Sequence, residues 1–287
     1  MADRFVPQSD RLRIVCVSDT HNDNCTKSIP DADIVIHSGD MTDYGTIEEL
    51  RDAYRWIAAL PHKVKIVIAG NHDIGLDKEH KLYLPEAVEL FTSESAQAAG
   101  IHYIDRQSKV IPLDTNYSRT LSVYGNPAQP DFLKSSYAFT YLPHPSPEAS
   151  DAWKTAPVVG TAASIWVTHG GPLGHLDWIP IPSLRGCEIQ AQAVAKARPV
   201  LAVFGHFHIS HGVELVTWKQ EGEGEEKTEV LVKDGSPCLL DFMQEDRRFR
   251  KGEKTIFVNA AWMTLDKTQT ENRYQPVVLD LPASVLS

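Results

Sequence analysis

Five short stretches of this 287-residue chain place side chains that bind cations or carry protons next to glycines or turns. They are Asp19-Thr20-His21, Gly39-Asp40, Gly70-Asn71-His72-Asp73, Thr168-His169-Gly170-Gly171 and Gly205-His206-Phe207-His208. Taken singly, each is weak: Asp-x-His pairs arise by chance, Gly-Asp is usually a turn, and a lone His after a strand is more often capped or solvated than a ligand. Jointly they bring seven oxygen and nitrogen donors, Asp19, His21, Asp40, Asn71, His169, His206 and His208, to places where glycines let backbones crowd. A donor set without thiolate suits manganese, iron, zinc or magnesium and disfavours copper(I) or an iron-sulfur cluster. Seven donors exceed what one tetrahedral ion uses, whereas two ions sharing a bridging carboxylate would use them all. Paired metals about 3.5–4 Å apart clamp a phosphate for in-line displacement. Two divalent ions, two aspartates and a bridging hydroxide leave roughly one positive charge, which suits a phosphate ester anion.

Something rigid must hold these donors, and the residues before them show what it is. LRIVCVS (12–18), DIVIHS (33–38), KIVIA (65–69), SIWVT (164–168) and VLAVF (200–204) each stop at one of the polar clusters, and TIFVN (255–259) closes the series. Short runs rich in Val and Ile read as strands buried on both faces. Between them, TIEELRDAYRWIAAL (46–60) opens with a Thr46-x-x-Glu49 capping box, presents Ile47, Leu50, Tyr54 and Ile57 on one face and stops at Pro61. CEIQAQAVAKA (187–197) reads as a second helix, ended before Pro199. Strand, helix and strand in alternation predict an α/β layered fold whose ligand site lies beyond the carboxyl ends of the strands. The segments 143–163 and 220–229 read as surface loops, the first rich in Pro, Ser and Ala, the second too acidic and glycine-rich to pack.

Composition narrows the class. With 42% hydrophobic and 23% charged residues the chain is an ordinary globular one, and one domain over 1–287 is expected. A formal charge of -10 argues against a partner bound through phosphates along a basic face, so no nucleic-acid polymer is expected. The start, MADRFVPQSDRLRIV, lacks the basic end and apolar run of a signal peptide, and no apolar stretch reaches membrane-spanning length. A cytoplasmic protein without membrane partners is the expectation. Cys16, Cys25, Cys187 and Cys238 show no CxxC spacing and read as reduced bystanders. His37, His62, His80, His102, His144 and His211 lack motifs and read as solvent-facing or locally hydrogen-bonded.

DTH, GD, GNHD, THGG and GHFH, in this order, resemble the five blocks of the calcineurin-like metallophosphoesterase superfamily over roughly residues 12 to 262. HSGDMTDYGT, KIVIAGNHD, THGGPLGHLD and TIFVNA further resemble its metallophosphoesterase-domain-containing (MPPED) subgroup. The resemblance implies a two-sheet β-sandwich flanked by helices, a four-layer αββα arrangement with metals at one edge. It implies that Asp19, His21 and His208 hold one divalent ion, that Asn71, His169 and His206 hold the other, and that Asp40 bridges them. Manganese is the expected metal, with iron, zinc or magnesium as alternatives. A metal-bridging hydroxide would attack phosphorus while His72 orients a phosphate oxygen and protonates the leaving oxygen. Asp73 either orients His72 or caps the following turn. By resemblance, YGNPAQP (124–130) and GPLGHLD (171–177) border the substrate pocket, which makes Asn126 and His175 candidates for phosphate or base contact; the alternative is that Pro and Gly simply shape these loops. Residues 219–254 look like an inserted loop or hairpin, in which Arg247, Arg248, Arg250 and Lys251 read as solvated.

The expected function is therefore a dinuclear metal-dependent phosphodiesterase acting on a small substrate such as a cyclic nucleotide. The alternatives are a phosphomonoesterase for nucleotides or phosphoproteins, and a metal-binding interaction scaffold with little turnover. Monoester dianions favour extra cationic groups, and the five blocks hold no Arg, which tips the balance toward diesters. Oligomeric state is not legible.

Overall fold

Strand and helix alternate along the chain and resolve into two stacked sheets. A computed structural model of the protein describes residues 10–114, 118–132, 135–157, 163–180, 186–219, 225–233, 238–243, 250–264 and 273–286. With strands numbered along the chain, one sheet has the order β13 (Cys238–Asp241), β15 (Val277–Pro282), β1 (Arg11–Val17), β2 (Ile34–His37), β3 (Val64–Val67) and β4 (Ile101–Tyr103). The other runs β12 (Glu225–Lys233), β11 (Gly212–Trp218), β14 (Lys254–Asn259), β10 (Leu201–Phe204), β9 (Ile165–Thr168), β6 (Thr120–Asn126) and β5 (Gln107–Pro112). A short parallel pair, β7 (Gln129–Pro130) with β8 (Thr140–Tyr141), completes the strands.

Parallel pairing of β1 with β2 and β2 with β3, and of β9 with β10, points their carboxyl ends the same way within each sheet. A parallel bridge between Ser18 and Ala261 joins the two sheets just beyond β1 and β14. Side-chain alternation along β1 shows how the layers form: Leu12, Ile14 and Cys16 enter the core between the sheets, while Val15 and Val17 face the helices. Both faces are buried, which is why these runs are continuously apolar.

The first sheet's outer face is covered by α1 (Ile47–Ala59), α2 (Pro85–Thr92) and α3 (Glu94–Ala98), through Leu50, Trp56, Ile57 and Phe91. The second packs Trp166, Phe204 and Phe257 against α4 (Pro147–Ala152) and α5 (Glu188–Ala197). A final turn, α6 (Ala283–Leu286), closes on the inner core. The protein is thus an αββα sandwich, the expected class. In α1 the capping box is formed: Glu49 N–H donates to Thr46 Oγ1 at 3.3 Å, and Thr46 N–H to Glu49 Oε2 at 3.1 Å. Among the described residues, no helix is long and apolar enough to cross a membrane.

Two loop readings are corrected. Within 143–163, α4 forms because Ser146 accepts from Ala149 N–H at 3.1 Å with Pro147 at the first helical position. Of 220–229, residues 225–229 belong to edge strand β12, which pairs antiparallel with β11 and leaves Lys227 and Glu229 in solvent. Charged outward side chains are the usual composition of an edge. The 219–254 segment therefore supplies an edge strand to each sheet, β12 and β13, while Arg247 and Arg248 lie outside the described residues.

Candidate metal centre

The turns that leave β1, β2, β3, β9 and β10 carry the polar clusters. The chain reverses so tightly there that several non-glycine residues take left-handed backbone angles: Asp19 (φ 56°), His21 (φ 43°), Asp40 (φ 51°) and His206 (φ 66°). Each costs on the order of 1–3 kcal/mol and persists only where surrounding structure fixes it. Here a ladder of backbone bonds does so. Asp19 N–H donates to Gly39 O at 2.9 Å and His21 N–H to Asp40 O at 3.1 Å, while Gly205 N–H donates to His169 O at 3.0 Å. A Cβ on Gly70 would run into the Asp40 carboxylate, and one on Gly205 into the Asp19 carboxylate, so both approaches require glycine.

The seven expected donors converge. Ligand atoms of Asp19, His21 and His208 lie within 4.8 Å of one another, as do those of Asp40, His169 and His206. His208 Nε2 is 3.2 Å from Asp19 Oδ1, and His169 Nε2 is 3.3 Å from Asp40 Oδ2. Asn71 Oδ1 lies 2.9 Å from His169 Nε2, whose ring is oriented by Nδ1 against Ser38 O at 3.0 Å. Burial works against charge on Asp40, yet the rings of His169, His72 and His21 hold it well below the ordinary carboxylate range. Burial likewise opposes a proton on His169, but Asp40 and Asp19 outweigh it and raise its pKa to about 9. Burial beside that charged ring pushes His206 down to about 3. Asp19 and Asp40 thus pair with histidines alone among the described residues, which leaves negative charge in a buried cage. Carboxylate, amide and imidazole donors in two groups that share one edge fit a pair of divalent cations.

A second layer holds the first. His72 N–H donates to Asp40 Oδ1 at 2.8 Å, and its ring Nδ1 lies 2.7 Å from Asp43 O. The carboxylate of the same Asp43 is 3.2 Å from His21 Nδ1. Neither reading of Asp73 holds: its side chain makes no cap bond to the turn Ile74–Leu76 that follows, and its carboxylate instead accepts from Gly70 N–H, Thr42 N–H and Thr42 Oγ1, at 2.8, 3.0 and 2.7 Å, and so ties the second and third loops together. Orientation of His72 falls to Asp43 instead. Asn259 donates to Leu176 O at 3.1 Å and to Phe207 O at 2.9 Å, which anchors the loop carrying His206 and His208.

A cleft of about 250 Å³ opens over the cage, with His21, Asn71, His72, His206 and His208 at its base. Two residues expected there are elsewhere. Asn126 is fully buried, and its amide is spent on Tyr124 Oη, Ala152 O and Ala128 N–H. His175 is stacked on Phe257 at 4.2 Å and bonded to Glu214, also away from the cleft. Gln129, Phe132 and Tyr137 line it instead. Gln129 lay inside the quoted YGNPAQP stretch, and Asp43 inside HSGDMTDYGT; no periodicity or motif marks Phe132 or Tyr137. Of the motif-less histidines, His37 and His211 are buried and bonded to Thr20 Oγ1 and Gln275 O, at 3.0 and 3.1 Å.

Comparison with known proteins bears on this site. A family model described as calcineurin-like phosphoesterase matches residues 12–210. A protein of Emericella nidulans named probable rhamnogalacturonate lyase C is 34% identical over 285 residues, covering 95% of this chain but 24% of that protein. Human metallophosphoesterase domain-containing protein 1 is 33% identical over 213 residues, 70% of this chain and 62% of the relative. A UPF0046 protein of Caenorhabditis elegans is 31% identical over 219 residues, 71% of each. The chain therefore spans less than two thirds of the first two relatives, and the lyase name belongs to a protein about four times as long as the matched part.

Proposed function

This chain belongs to the calcineurin-like phosphoesterase family, one of dinuclear metal-dependent phosphoester hydrolases, and from that premise we propose that it is a phosphodiesterase for small diesters, cyclic nucleotides among them. In this reading Asp19, His21 and His208 hold one ion, Asn71, His169 and His206 the other, and Asp40 is shared, with manganese the preferred metal. When bound, the ions supply Lewis acidity toward a phosphate oxygen and acidify a water. The chain's own residues do the rest. Asp43 O holds His72 Nδ1 at 2.7 Å, which leaves Nε2 as the ring nitrogen for proton transfer. That nitrogen donates to the leaving oxygen as water oxygen bonds to phosphorus and the P–O bond to the alcohol breaks. The products are the alcohol and a phosphomonoester.

One observation carries the preference for diesters: among the described residues lining the cleft, none is Lys or Arg. A singly charged diester needs no cation beyond the two ions, whereas a dianionic monoester gains from one. The test compares bis(p-nitrophenyl) phosphate with p-nitrophenyl phosphate on chelator-stripped protein, with and without manganese. Manganese-dependent release that favours the diester supports the proposal. Monoester preference moves the protein to the phosphatases, and no release of either at full metal loading removes the catalytic reading.

A further inference from the structure

Beside the cage, the cleft has a character that phosphate binding does not explain. Phe132 and Tyr137 line it while remaining 39% and 43% exposed, large apolar surface left in water at the mouth of a site. The Tyr137 ring lies 4.6 Å from that of His72, so this aromatic face begins where the proton donor ends. Ile179 and Phe207 continue the apolar lining. Among the neutral polar side chains that interrupt it, Gln129 stands apart: it is 4% exposed, and its Oε1 has no hydrogen-bond partner. The amide packs over Gly170, next in sequence to His169. A buried unpartnered amide oxygen is unfavourable unless a ligand satisfies it. Among the described residues of the lining, the charged one apart from Asp40 and the histidines is the acidic Asp131.

We infer that this cleft selects the organic arm of the phosphodiester: a flat, uncharged aromatic group that packs on Tyr137 and Phe132 and offers a hydrogen bond to Gln129. The inference rests on the phosphodiesterase reading for the position of the phosphate. An anionic arm would meet Asp131 and lose its hydration against aromatic walls. A small alkyl arm would leave those walls wet. Rotation of the Gln129 amide about its terminal bond presents either end to the ligand, so an arm with a carboxamide satisfies it in both orientations.

The test reads binding apart from turnover, by titration calorimetry of manganese-loaded protein with methyl esters of four phosphonic acids: methyl, phenyl, 4-carbamoylphenyl and 4-carboxyphenyl. Their arms are attached through a P–C bond that hydrolysis does not cleave. The phenyl compound is expected to bind about tenfold more tightly than the methyl one, the carbamoyl compound more tightly again, and the carboxylate more weakly than phenyl. Tyr137→Ala and Phe132→Ala, both at exposed positions that tolerate truncation, should bring the phenyl-to-methyl ratio toward one. Gln129→Met should erase the carbamoyl increment. Equal affinity for phenyl and methyl in the parent, or a ratio unmoved by both alanine variants, overturns the inference. Phenyl preference in a protein that hydrolyses no diester would leave the cleft assignment standing and overturn the catalytic reading alone.

Discussion

His72 and Asn71 are neighbours with separable duties. Asn71 carries an oxygen into the cage 2.9 Å from His169 Nε2, whereas His72 is fixed by its own N–H on Asp40 and by Asp43 O on its ring. Asn71→Ala or His206→Ala should lower bound metal from two ions per chain to one, as elemental analysis reads. His72→Asn should keep both ions and lower turnover roughly 10²- to 10³-fold, with a larger loss for an alkyl than for a p-nitrophenyl leaving group, because a poor leaving group depends more on the donated proton. The donors were legible because residue type and position agreed at five separate strand ends. Asn126 and His175 had the right types near the right loops, but which way a side chain turns is decided by Ala152 and Glu214, far away in sequence. Asp43 holds His72 through a carbonyl that every residue possesses, so side-chain chemistry gave no sign of it.

The turns, more than the strands or helices, carry the chemistry. Their geometry is set by close packing of loop on loop, in which Gly70 lies directly against the Asp40 carboxylate. Gly70→Ala is expected to displace Asp40 and cut metal stoichiometry while the far-ultraviolet circular dichroism stays native. Gly174→Ala is the control: its φ of 93° strains the variant, but a Cβ there meets nothing within 4 Å. It should lose about 1 kcal/mol of stability and keep its metal. Helix α1 was legible to its capping box because Thr46 and Glu49 signal locally. By contrast, α4 and β12 were hidden. Ser146-Pro147 begins a turn as readily as a helix, and the charges that suit an edge strand also suit a loop.

For the molecule as a whole, two buried histidines set an acid limit. Burial pushes His37 and His211 each down to about 4. An unfolded histidine titrates near 6.5, so as pH falls the unfolded chain takes up protons first. The stability they confer is complete above about pH 6.5 and is lost between there and about pH 4, on the order of 2 kcal/mol per histidine by pH 5. Urea midpoints at pH 7.5 and pH 5 measure this, and His211→Gln should flatten the difference. The site also straddles the sandwich: Asp19, His21, Asp40 and Asn71 leave the first sheet, and His169, His206 and His208 leave the second. Ions bound there stabilise the folded state by mass action, so a chelator should lower the melting temperature and manganese should restore it. A cation pair seated in this way clasps the two halves of the body together at one end. Starving the protein of its metal would then shorten its lifetime against proteases as well as silence it, and abundance would report metal supply.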